Sequence, residues 1–221
     1  MGAQTLRELE LKEKEREETR KRKEEKKKRE EKKATVTKKW KGKDWFNILA
    51  PKMFNQAFLS ETPATDSASL IGRNIEINVG AFLKNPKKHH MKIKFKIIEV
   101  SGKNALTRFN GFVCAREYVF KIVRKRSQKV EIINDFETKD GWKLQITGLI
   151  ILNRNTETTV QRKIRLKAEA MIKEFARNHT INDFVKKIID EVLQKSIKKK
   201  CSKIYPVRFS EITKIEVKKA G

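Results

Sequence analysis

Apolar and polar residues alternate with a period of two through the middle of the chain. This pattern is typical of strands that have one face on a core and the other face in solvent. It predicts strands over residues 75–79, 92–100, 106–113, 129–138 and 142–152. The alternation changes phase after Ile97, which predicts a β-bulge, and Lys139-Asp140-Gly141 predicts a hairpin turn between the last two strands.

A helical period replaces the alternation in the last third of the chain. Residues 158–178 are rich in helix formers, and the apolar stripe expected on that helix consists of Leu166, Ala170, Ile172 and Phe175. Thr180 to Asp183 resembles a capping box with Asp in place of Glu, and apolar residues then recur at helical spacing as far as Leu193. A short helix is predicted over residues 117–125, and residues 209–217 are again extended. The fold class is therefore predicted to be α+β, with a curled sheet or small β-barrel core.

Four segments are expected along the chain. Residues 1–36 form a charged extension, in which Glu repeatedly precedes a basic residue by four positions, a spacing that stabilises a helix. No apolar stripe continues past Leu11, so this extension is predicted to be a solvated helix or disordered. Residues 37–60 form an N-terminal arm, residues 61–157 the β-barrel core, and residues 158–221 a C-terminal α/β subdomain. The arm residues expected to pack into the core are Met53, Phe54, Phe58 and Leu59.

The charge of the chain narrows the class of partner. Its 221 residues include 54 Lys and Arg against 28 Asp and Glu, a formal net charge of +26. Such an excess favours a polyanionic partner, and nucleic acid is the usual one because each neutralised phosphate releases a counterion. The longest strongly apolar run, Leu149–Leu152, is too short to cross a membrane, and the N-terminus has no signal-peptide core. We therefore expect a cytoplasmic protein with no membrane partner.

Residues that could carry catalysis or bind a metal are sparse. Cys114 and Cys201 lie far apart and are expected to be buried free thiols. His89 and His90 are adjacent, and His179 stands alone, so no histidine spacing suits zinc. No phosphate-binding glycine loop or nucleophile motif occurs. The sequence therefore predicts no enzyme, no metal and no cofactor.

Clusters of basic residues are the positive signal for binding. Residues 124–129 combine forked Arg donors with a hydroxyl and an amide, a mixture that suits phosphate contacts. Lys92, Lys94 and Lys96 would share one strand face, either as a track for a nucleic-acid backbone or as the charged protection of an edge strand. Trp45 stands among lysines and would either stack on a base or anchor the arm to the core.

The candidate RNA-binding residues are Lys38, Lys39, Lys41, Lys43, Trp45, Arg73, Lys87, Lys88, Lys92, Lys94, Lys96, Arg108, Arg116, Arg124, Lys125, Arg126, Lys129, Arg162, Lys163, Arg165 and Arg208.

Motifs from Trp45 to Arg208 resemble one family of small-subunit ribosomal proteins of archaea and eukaryotes, called S-one-e or S-three-a. The first motifs are Trp45, Ala50-Pro51-Lys52-Met53-Phe54, Glu61-Thr62-Pro63-Ala64 and Leu70-Ile71-Gly72-Arg73 with Glu76. The others are Gly102, Thr107-Arg108-Phe109, Gly111, Arg116-Glu117-Tyr118, Val123-Arg124-Lys125-Arg126, Thr138-Lys139-Asp140-Gly141 and Ile204-Tyr205-Pro206-Val207-Arg208. Each motif is short, and their order and spacing together carry the resemblance, which covers residues 38–217.

The resemblance implies a β-barrel core with a C-terminal α/β portion, bound to ribosomal RNA on the platform of the small subunit. Members of the family lie near the messenger-RNA exit beside other platform proteins, so the implied partners are ribosomal RNA, neighbouring platform proteins and messenger RNA. Many members have Gly where Ser60 stands, and residues 1–33 have no counterpart in the family pattern. Because little sequence follows Val217, an archaeal-type member is expected.

Two other functions are compatible with the basic residues. A free RNA-binding or RNA-chaperone factor would use the same surface without a preferred site. An RNA-modifying or RNA-cleaving enzyme would need a catalytic site, for which Asp140 and His179 are the residues to test. A glycine follows Asp140, so a turn explains this residue without catalysis.

Overall fold

The computed structural model describes residues 21–28 and 42–221 of the chain. The chain divides into two units, Met1–Asp44 and Trp45–Gly221. Residues 21–28 of the first unit are helical and exposed, as expected for a stretch that has no apolar stripe. Residues 1–20 and 29–41 lie outside the described residues. The helical or disordered character predicted for the extension therefore stays a prediction at residues 1–20 and 29–36.

Eight strands form one sheet that curls without closing into a barrel. They are β1 (Asp44–Leu49), β2 (Phe58–Ala64), β3 (Asn74–Asn78), β4 (Met91–Ser101), β5 (Asn104–Cys114), β6 (Gln128–Glu137), β7 (Lys143–Leu152) and β8 (Val207–Lys219). The order across the sheet is β2-β1-β5-β8-β7-β6, and β4, with β3 beside it, also pairs with β5. The predicted α+β class and curled sheet are confirmed.

Helices cover mainly one face of this sheet. They are α1 (Val79–Phe82), α2 (Arg116–Ile122), α3 (Thr158–Asn178), α4 (Ile181–Ile189) and α5 (Val192–Cys201). Apolar side chains of α3, α4 and α5 form one core with the inward side chains of β4 to β8, and we call this side the inner face. The other side, the outer face, is covered at one end by α2, where Ile122 packs on Leu149 and Ile151.

The C-terminal segment returns to the sheet as β8, between β5 and β7. Its pairing with β7 runs from Leu152↔Val207 to Lys143↔Lys219. Residues 158–221 therefore supply both the helical layer and a central strand. The four segment boundaries expected from composition stay a prediction.

A glycine allows β5 to bend where it pairs with strands on both sides. The register of β4 against β5 shifts between Lys94 and Phe95, opposite Gly111. Gly111 has φ +151°, and a Cβ built on it would lie 2.6 Å from the carbonyl oxygen of Ile215 in β8. Only glycine fits at such a close approach. The second register shift, between Ile97 and Glu99, confirms the bulge predicted after Ile97.

Three details of the apolar pattern were predicted wrongly. The stripe on α3 has a different phase, because Leu166 and Ala170 are exposed and the buried residues are Ile164, Ala168, Met171, Ile172 and Ala176. The helix expected from Ile181 to Leu193 breaks at Glu191, which adopts the left-handed conformation at φ 58°. Phe58 is 57% exposed, whereas the other three arm residues pack against the cores.

Candidate RNA-binding surface

Strand β4 presents its lysines on the outer face. Its inward residues are Met91, Ile93, Phe95 and Ile97, all of which are buried. Alternation therefore directs Lys92, Lys94 and Lys96 outward. Since β4 pairs with β3 on one side and β5 on the other, it is not an edge strand, and the edge-protection interpretation of these lysines is wrong.

A groove of about 550 Å³ lies on the outer face beside α2. Its lining includes four cations, namely Lys94, Arg116, Lys129 and Lys214. Phe120, Val119 and Cys114 also line it, together with Val113, Glu131, Thr147, Leu149 and Thr213. A hollow of about 370 Å³ adjoins it and shares Lys94, Val113 and Lys214. Cations, hydroxyls and an aromatic ring are the groups that proteins use to bind single-stranded nucleic acid.

Glutamates neutralise part of this cationic lining. The distance from Lys94 Nζ to Glu76 Oε1 is 2.8 Å, that from Lys129 Nζ to Glu131 Oε1 is 2.5 Å, and that from Lys214 Nζ to Glu216 Oε1 is 2.6 Å. The hydrogen bond from Lys94 lowers the pKa of Glu76, and that from Lys214 lowers the pKa of Glu216. The groove is therefore only mildly positive.

The basic segment of residues 124–129 forms a tight turn between α2 and β6. Ser127 Oγ donates to the carbonyl oxygen of Arg124 at 2.5 Å, and Arg126 adopts φ 64°. Arg124, Lys125 and Arg126 are exposed. The Ser127 hydroxyl, which was expected to suit a phosphate contact, thus closes the turn instead. The side-chain amide of Gln128 also contacts the protein itself, because its Nε2 donates to Gln161 Oε1 at 3.4 Å. The turn therefore offers three cations to a partner.

Several other candidate residues bind to the protein itself. Arg73 donates to the carbonyl oxygens of Ser69 and Pro63 and to Thr62 Oγ1 at 3.0 to 3.4 Å, which ties β2 to the turn before β3. Arg165 Nε donates to the carbonyl oxygen of Glu131 at 3.1 Å. Lys88 pairs with Asp190 at 2.8 Å. These contacts give the three side chains structural roles.

The other candidate residues differ in their exposure to solvent. Lys87, Arg162 and Lys163 are exposed, Lys43 and Arg108 are half-buried, and Arg208 is half-buried over the ring of Phe209. Trp45 is 56% exposed. Lys38, Lys39 and Lys41 lie outside the described residues.

The residues named for possible catalysis have structural contacts. Asp140 Oδ2 accepts a hydrogen bond from the amide of Ile181 at 3.1 Å and so helps to cap α4. His179 bonds to the carbonyl oxygen of Phe175 and to the ammonium group of Lys187. Both cysteines are free and buried. In residues 21–28 and 42–221, no group of three or more His, Cys, Asp or Glu side chains is arranged to hold a metal.

A small group of titratable side chains lies partly buried where β8 meets α2 and β4. The ring of His90 stacks on Tyr118 at 3.9 Å between centroids, and Tyr118 Oη donates to Glu211 Oε1 at 3.5 Å. Burial raises the pKa of Tyr118 to about 12 and that of Glu211 to about 7. Burial also raises the pKa of the Cys114 thiol to about 12, so this thiol stays protonated.

Comparison with known proteins decides the family. Residues 31–221 match the Ribosomal S3Ae family. The chain belongs to this family. The match contains every motif from Trp45 to Arg208 on which the resemblance rested, and residues 1–30 fall outside it. Membership of a ribosomal protein family also argues against an enzyme.

Relatives of the family cover most of the chain. A protein of Methanopyrus kandleri named small ribosomal subunit protein eS1 is 38% identical over 82% of this chain and 88% of its own length. A protein of the same name from Methanococcus vannielii is 35% identical over 82% of this chain and 83% of its own length. Another from Desulfurococcus amylolyticus is 35% identical over 83% of this chain and 86% of its own length. These three relatives are archaeal. Among the described residues, no helix is long and apolar enough to span a membrane.

The fourth cation of the groove, Lys214, and its aromatic ring, Phe120, were not predicted from the sequence. Lys214 lies in a run of mixed polar and apolar residues, and its place beside Lys94 depends on β5 pairing with β8. Phe120 lies in a short helix whose neighbours Val119 and Ile122 are also apolar, so the sequence does not show which of them faces solvent. The short spacing from Arg116 to Phe120, one helical turn, was the one available signal.

Proposed function

We propose that the chain is a structural constituent of the small ribosomal subunit, which binds ribosomal RNA on the platform near the messenger-RNA exit and so supports translation. Its family is a ribosomal one, and its relatives carry the name of a small-subunit protein. Its cellular place is then the cytoplasm, within the ribonucleoprotein particle. Neighbouring platform proteins, and messenger RNA leaving the subunit, would be further partners.

The observation that carries the RNA-binding part is the grouping of cations on one side of the sheet. Lys92, Lys94 and Lys96 cross the outer face on β4, and the groove beside α2 continues the same surface. The exposed turn at Arg124–Arg126 connects α2 with β6, and both elements line the groove. Phosphate contacts of this kind hold a protein in register on RNA. On the opposite side, helices cover the strands, so the inward side chains of the sheet are not available to RNA.

Exposed aromatic residues of the N-terminal arm are suited to contacts with RNA or with neighbouring proteins. Trp45 is 56% and Phe58 57% exposed. Aromatic residues are enriched at interfaces of both kinds. We assign them to the periphery of the contact, because neither lines the groove.

Cosedimentation with small subunits tests the proposal. In low-salt extract, most of the protein should travel with the small subunit. If most of it stays free and binds unrelated RNAs with equal affinity and a steep salt dependence, it is a free RNA-binding factor instead.

The turn and the N-terminal extension can be compared in the same assay. Arg124→Ala with Arg126→Ala should weaken incorporation more than removal of residues 1–33, because the two arginines are exposed beside the groove. Each lost phosphate contact should also reduce the slope of log affinity against log salt by about 0.7 to 0.9. Lys173→Ala with Arg177→Ala is the matched control, since it removes two exposed charges from α3. An equal or larger loss on truncation would mean that the RNA-binding surface is misplaced.

A further inference from the structure

Phe120 is the most exposed large apolar side chain in the described part of the chain, at 75%. Its neighbours are packed instead of exposed. Tyr118, Val119 and Ile122 of α2, and Val123 directly after it, form a cluster with Leu149, Ile151 and Phe209. The helix is therefore fixed to the sheet by its other side chains. Phe120 contributes little to that packing, and the packed helix holds its ring in solvent.

The ring forms part of the wall of the outer-face groove. Arg116 lies one helical turn before Phe120 and lines the same groove, and Lys94, Lys129 and Lys214 line it from the strands. Val113 and Leu149 supply apolar lining. Thr213 Oγ1 donates to the carbonyl oxygen of Thr147 at 3.1 Å, which leaves the lone pairs of that hydroxyl for a further donor.

The charges around the ring favour a nucleotide over an apolar protein segment. Four cations line the groove against one carboxylate, Glu131. Lys94, Lys129 and Lys214 are each held by a glutamate, whereas Arg116 makes no ion pair of this kind with a carboxylate in the described residues. Such a groove is suited to one or two phosphates and not to a long phosphate track. Most of the affinity at this place must then come from stacking.

We propose that Phe120 is the stacking platform for one unpaired base of RNA, and that Arg116 and the adjoining lysines hold the phosphates beside that base. This inference rests on the proposed function, because it assumes that RNA contacts the outer face. It adds that the contacted RNA is single-stranded at this point, since a base within a duplex has no free face for the ring.

Substitutions at position 120 in the full chain test the proposal on small-subunit ribosomal RNA. Phe120→Ala should weaken binding by about ten-fold, the usual order for loss of one stacked base. Phe120→Trp should bind like the wild type, and its added fluorescence should be quenched when RNA is bound. Phe120→Leu should be as weak as the alanine variant, because it keeps an apolar side chain but loses the flat ring. Leu166→Ala is the control, since Leu166 is exposed but lies on α3.

The outcomes separate this inference from the proposed function. Wild-type protein with no preference for small-subunit RNA would contradict the proposed function itself. Two outcomes would overturn only the stacking proposal, provided that the wild type prefers small-subunit RNA. One is a loss of affinity of less than two-fold in Phe120→Ala, and the other is full binding by Phe120→Leu. Normal binding of naked RNA by Phe120→Ala with failed incorporation into subunits would also overturn it, because the ring would then contact a protein.

Discussion

The two faces of the sheet have opposite character although the same strands build both. On β4 the inward side chains Ile93, Phe95 and Ile97 are at most 2% exposed. Ile93 and Phe95 belong to the large core shared with the helices, and Ile97 belongs to a smaller core with residues of β1 and β2. The lysines between them face solvent and pair with glutamate or remain available to a partner. A period of two thus separates stability from binding within one strand. Substitutions on the inner face should change folding, and substitutions on the outer face should change binding.

Strand β7 shows where this separation ends. Its last residues, Leu149–Leu152, are apolar without interruption, and all four are buried. Ile150 and Leu152 face the inner core, whereas Leu149 and Ile151 lie under α2 on the outer face. A strand buried on both faces loses its alternation. The apolar run in the sequence therefore marks the place where α2 docks, and the groove begins at the border of that docked region.

The largest expected effect belongs to the inner face. Phe184 of α4 is fully buried in the core, and Phe184→Ala should lower the free energy of unfolding by about 3–5 kcal/mol. Denaturant titration measures the change. Molecules that remain folded should bind RNA as the wild type does. Phe120→Ala is the matched comparison, because it removes a phenylalanine ring from the outer face and should change stability by well under half as much. Equal destabilisation by both would contradict the separation of the two faces.

The next effect concerns the glycine that lets β5 pair with β4 and β8. Gly111→Ala would place a Cβ 2.6 Å from the carbonyl oxygen of Ile215, and the unusual φ alone costs about 1–3 kcal/mol. We expect the free energy of unfolding to fall by at least that amount.

Gly102→Ala is the control for this substitution. Gly102 also has positive φ, at +59°, but a Cβ there meets nothing within 4 Å. Its cost should be limited to about 1–2 kcal/mol of backbone strain. A smaller loss at position 111 than at position 102 would show that β8 moves aside without penalty.

Sequence patterns predicted the elements better than their arrangement. Alternation located β3 to β7, and the bulge after Ile97, because these features depend on neighbouring residues. The break at Glu191 was missed because apolar spacing continues across it, and the phase of α3 was missed because Leu166 is apolar yet exposed. The position of β8 depends on pairing over long separations, to which local periodicity is insensitive.

The candidate site was predictable to a similar degree. The outward direction of Lys92, Lys94 and Lys96 follows from the period alone. The pairing of Lys94 with Glu76 depends on the register of β3 against β4, and no local pattern specifies that register. The roles of Arg73 and Arg165 as internal donors depend on distant carbonyl groups, so these residues looked like surface cations in the sequence.

The smallest expected effect lies at Glu211, a half-buried carboxylate on the outer face that does not belong to the groove. Burial, and then the negative charge of Glu191, raise its pKa from 4.5 to about 7, although Tyr118, Lys195 and Lys198 act in the opposite direction. The folded state therefore holds this proton more tightly than the unfolded state does. Its contribution to stability is fully present below pH 4.5 and is lost as the pH rises through about 7.

Comparison of Glu211→Gln with the wild type isolates this contribution. Burial lowers the pKa of His90 from 6.5, so the histidine makes stability rise with pH just below that value, but its contribution cancels in the difference between the two proteins. Urea unfolding measures the free energy of unfolding of both proteins. The wild type and Glu211→Gln should be about equally stable near pH 4.5, and the variant should be more stable at pH 8 by on the order of 1 kcal/mol. A constant difference across this range would mean that Glu211 ionises normally, and that the border between α2 and β8 is wetter than its packing indicates.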